Sequence, residues 1–196
     1  MHRELRERMP TVALLALVCA GCGELGKVNQ GRVVAYDPVN GVVTLVADSN
    51  AAYPGEPRYE SLPPLIVKVP AQSSDMGPAP EPGLLLDVDT QRNELRVFDS
   101  DSKAVRTIGF RVVDRRTKVS SRDPRVAGGR FPVVDRSGKS ITIYRRKQRE
   151  LLTFSVSDSD LKLPEAAWRL GDEVRYYYRD PGQALRMMNV TRTDIF

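Results

Sequence analysis

Three stretches of this chain can be written one beneath another: GRVVAYDPVNGVVTLV from Gly31, GLLLDVDTQRNELRVF from Gly83 and GRFPVVDRSGKSITIY from Gly129. Each opens on glycine, places an aspartate six residues later (Asp37, Asp89, Asp135) and returns with alternating apolar residues. Period two is the signature of a half-buried strand, because successive side chains leave opposite faces of a sheet. Asp with Asn, Gly or Pro nearby is turn chemistry, since its carboxylate accepts a hydrogen bond from the backbone two residues on. Each stretch therefore predicts a β-hairpin. A chain carrying three of them is expected to fold as an all-β protein.

A third strand is predicted after each hairpin, at Leu65–Val69, Val105–Val113 and Leu151–Val156. Two more, Glu173–Arg179 and Ala184–Thr191, flank the turn Asp180-Pro181-Gly182. Between them, Pro164 suits a first helical turn and Gly171 a stop, so one short helix is expected near residues 164–170. Strand, strand, strand, short helix, strand, strand resembles the order of the OB-fold, a small five-stranded barrel. The expected architecture is two tandem OB-like modules over residues 31–118 and 129–196, with the breaks Arg122-Asp123-Pro124 and Gly128-Gly129 between them. One larger Greek-key barrel, or a sandwich, fits the same strands. The long loop from Asp48 to Pro63 is expected to be functional or disordered.

The N-terminus carries different information. Arg3, Arg6 and Arg8 precede a short apolar run from Thr11 to Val18, and Ala20-Gly21 stand directly before Cys22. The run is too short to span a bilayer as a helix and reads as a signal-peptide core. The segment resembles a bacterial lipoprotein signal with its lipobox, although Cys19 stands where the family usually carries Leu. The resemblance implies cleavage after residue 21, lipidation of Cys22 and a tether over residues 22–30. Gly23, rather than Asp, after the cysteine implies the outer membrane. The chain thus resembles envelope lipoproteins with OB-like β-modules, anchored essentially permanently through their acyl chains.

Composition then narrows the chemistry. Residues 1–21 hold three arginines, two glutamates, His2 and Cys19, so the processed chain keeps 27 basic and 23 acidic side chains. It has no histidine, and its one cysteine is the lipid acceptor. A Ser-His-Asp triad, a Cys-His pair and an intrachain disulfide are excluded, as are the usual histidine-built zinc and haem sites. An enzyme would have to be a carboxylate-based hydrolase, with two acids about 5–10 Å apart. No cofactor or metal is expected. Asp99-Ser100-Asp101-Ser102 and Asp158-Ser159-Asp160 lack the glycine and distant glutamate of a calcium loop and read as turns.

The remaining candidates are binding residues. Arg175, Tyr177 and Arg179 should share one strand face, with Tyr176 and Tyr178 on the other. Arg145, Arg146 and Lys147, with Arg149, form a basic hairpin tip, and a second basic run spans Arg111 to Arg125. Trp168, the sole tryptophan, is expected to plug a barrel end. The function expected is a lipid-anchored envelope module that binds another protein or organises an assembly. The alternatives are a binder of anionic glycan or lipopolysaccharide, using Arg175, Tyr177, Arg179 and the basic clusters, and the hydrolase. The compartment argues against nucleic acid.

Overall fold

The computed structural model describes residues 26–53 and 57–193. The signal segment, residues 1–21, and Cys22 lie outside the described residues. Strand β1 (Lys27–Asp37) turns into β2 (Val42–Ala47), and β3 (Ser61–Lys68) completes a meander. A second meander follows: β4 (Leu85–Asp89), β5 (Glu94–Asp99) and β6 (Ala104–Gly109). Next come β7 (Arg111–Arg116), β8 (Val133–Asp135), β9 (Ser140–Arg145) and β10 (Glu150–Ser155). The last pair is β11 (Glu173–Tyr178) and β12 (Arg186–Asn189).

These strands make three antiparallel sheets, ordered β12-β11-β1-β2-β3, β7-β10-β9-β8 and β4-β5-β6. The all-β expectation holds; the two tandem barrels do not. No sheet closes into a barrel, and the five-stranded sheet takes strands from both sides of the boundary drawn near residues 117–128. The reason lies in β1, which is long enough to need partners on both edges. Gly31 to Asp37 pairs with β2, while Lys27 to Arg32 pairs with β11. The spatial order β11-β1-β2-β3 is that of a Greek key, without the single larger barrel raised above as an alternative. At the far edge, β3 meets the run into β12 at a single parallel bridge, Lys68 to Gln183.

Three further expectations are corrected. Residues 27–30 are strand rather than tether. The segment 105–113 is two strands in two sheets, because Phe110 turns inward and buries its ring between them. The helix near 164–170 is only a 3-10 turn, Glu165–Trp168. Leu84 N–H donates to the Ala166 carbonyl (2.9 Å) and Leu85 N–H to that of Arg169 (3.0 Å), so β4 takes the acceptors a longer helix would have used.

The turns follow their sequence chemistry. Asp37 accepts from Val39 N–H at 2.9 Å, Asp89 from Gln91 N–H at 2.8 Å, and Asp135 from Gly138 N–H at 2.8 Å. Asp99 does the same for Asp101 N–H at 3.0 Å, which makes that acidic stretch a turn.

Three apolar layers result. Trp168, fully buried, meets Phe154 edge-on and lies with Leu85, Leu95, Ile141 and Leu152 between the three- and four-stranded sheets. The expected core role of Trp168 is met, within a sandwich rather than at a barrel end. Val33, Val43, Leu45, Val174 and Tyr176 fill the concave face of the five-stranded sheet. Its outer face meets the three-stranded sheet through Val34, Val46, Tyr59, Leu86 and Phe98. Tyr59 comes from the long loop after β2, whose base is closed by Asp48 accepting from Arg58 N–H at 2.7 Å. The described part of that loop therefore serves packing.

Candidate binding surfaces

Beside Tyr59 the outer face of the five-stranded sheet changes character. Alternation along β1 sends Gln30 and Arg32 outward, and β11 sends Glu173 and Arg175 to meet them. Arg32 is only 9% exposed, and its guanidinium donates to the carbonyls of Leu86 (3.1 Å) and Gly171 (2.9 Å). It also stands 5.0 Å from the Tyr59 ring centroid, a cation–π contact that offsets part of its desolvation. Burial pushes the Tyr59 hydroxyl up, away from ionisation, and that hydroxyl has no hydrogen-bond partner among the described residues.

Glu173 is the hub. Gln30 Nε2 and Lys147 Nζ both donate to its carboxylate, the latter at 2.6 Å, and Arg175 Nε donates to Gln30 Oε1 at 2.8 Å. Burial pushes the Glu173 carboxyl up, but the bond and charge of Lys147 and the charge of Arg32 outweigh it and hold the group below the usual carboxylate range. Two sequence candidates, Lys147 and Arg175, are thus brought together, but as members of an internal network. Lys147 sits at the β9–β10 turn, so that basic tip is docked on the five-stranded sheet.

Its neighbours have separate fates. Arg145 pairs with the buried Glu150 at 2.8 Å. Arg146 is exposed, has no ionic partner among the described residues and lines a cleft of about 270 Å³. Phe131, Pro132, Tyr144 and Leu170 form apolar walls there, with Phe131 and Tyr144 tilted at a centroid distance of 6.0 Å. Glu81 and Asp172 are the cleft acids. Both are held by Arg192, at 2.5 Å and 2.7 Å. Asp172 also accepts from Asn189 Nδ2 at 2.8 Å. Among the described residues, every carboxyl with a displaced pKa is displaced downward, as turn N–H groups and cations favour the charged form.

Tyr177 and Arg179 lie elsewhere, at the end of the five-stranded sheet where β1 begins. Tyr177 accepts from Gly26 N–H at 3.1 Å. A Cβ on Gly26 would meet that ring at 2.3 Å, so glycine is what lets the chain pass beneath it. Tyr176 and Tyr178 pack on the concave side, as alternation predicts. Arg179 is exposed and unpaired among the described residues.

The remaining surface feature is β7. It pairs with β10 on one edge only, and all six of its residues are exposed, including Val112 (38%) and Val113 (56%). Arg115 pairs with Glu150 at 2.6 Å and Arg116 with Asp114 at 2.8 Å, while Arg111 carries no ionic partner among the described residues.

Reading the sequence missed Glu173, Gln30, Arg32, Asp172 and Arg192. The available signal was the pair Gln30 and Arg32, at alternate positions directly before the apolar run Val33-Val34-Ala35. No curated protein and no solved structure matches the chain. Residues 24–196 match the family described as Domain of unknown function (DUF4881), and the chain belongs to that family.

Proposed function

We propose that this chain is a lipid-anchored envelope protein, held through Cys22 at the periplasmic face of the outer membrane. Its sheets act there as a non-catalytic module for binding or assembling another envelope protein. The lipobox-like Ala20-Gly21-Cys22 supports the anchor. The observation that carries the binding role is the open edge of β7, exposed along its whole length. An unpaired strand edge is a template for an incoming strand, whose main chain supplies the hydrogen bonds. Arg115 and Arg116 are already paired with acids, so the charge available on this edge is that of Arg111, which favours an acidic partner segment.

Crosslinking in intact cells with mass spectrometry tests this reading. The expected result is a reproducible envelope protein crosslinked to residues 111–118 and lost in Val113→Glu. Capture that Val113→Glu leaves unchanged would refute the role of β7. Cys22→Ser should release the protein from the membrane fraction. A second reading, an anionic glycan binder, draws on the cleft beside Arg146, where an unpaired guanidinium adjoins aromatic walls. It predicts salt-sensitive co-sedimentation with isolated cell wall, weakened in Arg146→Ala.

A further inference from the structure

The reading above fixes the anchor at Cys22 but leaves open which side of the fold faces the lipid. Gly26 is already bound to Tyr177, and β1 starts at the next residue. Four residue steps separate Gly26 from Cys22, and an extended chain covers about 14 Å over that length. The end of the five-stranded sheet around Tyr177 therefore cannot lie far from the bilayer surface.

The register shows what this end presents. Val28, Tyr177 and Arg186 are cross-strand neighbours on β1, β11 and β12, so their side chains share the outer face. Arg175 lies two residues before Tyr177 on the same face, and Arg179 follows in the bend directly after β11. Val28 is 63% exposed, in the strand that buries Val33 completely. Two acids adjoin: Asp75, which pairs with Arg186 at 3.6 Å, and Asp180, next to Arg179. Three arginines therefore face two acids, one of which is already engaged.

We infer that this face, Val28 and Tyr177 flanked by Arg175, Arg179 and Arg186, lies against the membrane and contacts anionic lipid headgroups. An exposed aliphatic group, a tyrosine with a polar tip and a ring of arginines are what the headgroup layer accommodates. The short tether lets the arginines come within reach of a potential that decays over about 8 Å at physiological salt. The inference rests on the lipid anchor, and it leaves β7 and the cleft to project into the periplasm for their own ligands.

The test uses the full lipidated protein. Because lipid blocks the one cysteine of the processed chain, Val28→Cys and, as control, Val113→Cys each supply a single reactive thiol. Each variant is reconstituted in vesicles of phosphatidylcholine with phosphatidylglycerol, and its reaction with a membrane-impermeant maleimide is timed. The thiol at position 28 should react several-fold more slowly than in detergent, and that at 113 at an unchanged rate. Arg179→Glu with Arg186→Glu should restore much of the rate at position 28. Vesicles that float with protein but leave both thiols equally reactive overturn the inference and spare the anchor. Protein that does not float overturns both. Protection at position 28 by isolated cell wall, but not by vesicles, overturns it in favour of a glycan.

Discussion

The sandwich layer around Trp168 and the polar layer around Glu173 both join sheets, yet by opposite means. The first is apolar: Trp168, Phe154 and Phe110 meet the aliphatic residues of five strands and two turns. The second buries Arg32, Gln30 and Glu173 and recruits Lys147 from the β9–β10 turn. An apolar layer gains stability in proportion to the apolar area removed from water. A buried charged layer gains little net energy over an apolar one, because desolvation offsets the attraction, but breaking it is costly. What it specifies is orientation. Arg32 can satisfy the Leu86 and Gly171 carbonyls and reach Tyr59 in one arrangement of the sheets.

That division makes graded predictions, read by denaturant unfolding. The largest effect belongs to the apolar layer, where Trp168→Ala should cost about 3–5 kcal/mol through lost burial and a cavity. Arg32→Ala should cost about 3 kcal/mol, because it removes the donor to the Leu86 and Gly171 carbonyls and a positive charge that stabilises the buried Glu173 carboxylate. A loss as large at Lys147 as at Arg32 would mean that the layer is held by its rim. Lys147→Ala, nearly half exposed, should cost about 0.5 kcal/mol.

Acid separates the layers further. Glu173 has a folded pKa below its ordinary 4.5, so its contribution is complete above that value and is lost as pH falls through the folded one. A pH series should show stability declining in acid, with a shallower decline in Lys147→Met. Trp168→Phe should leave the slope unchanged. The smallest effect is expected at the open edge, where Val113→Ser should stay within about 0.5 kcal/mol while reducing partner capture.

The hairpins could be read from the residues because their information is local: alternation and an aspartate acting on its own turn. The same held for the split of Tyr176 and Tyr178 from Tyr177 across β11. Pairing between β1 and β11 could not be read, since a strand's sequence names its faces but not its neighbour across an edge. The two-module picture failed for that reason. The break between β6 and β7 hid inside what read as one strand, Val105–Val113, where Phe110 was one more hydrophobic residue until the sandwich gave it a destination. At the candidate sites, Lys147 and Arg175 stood out by charge, but Glu173, which decides what they do, looked like any surface glutamate.

The union of Gly26 with Tyr177 spans 151 residues, and this sets the order in which the molecule can be finished. Contacts so distant in the chain carry a large loop-closure cost and slow the search for the native state. The hairpins of the middle of the chain can form while synthesis is still under way. The free half of β1 must wait for β11, among the last strands to emerge. Until then the first strand offers a bare edge to any other chain nearby, so the C-terminal hairpin is also the step at which the newborn protein stops being prone to mispairing.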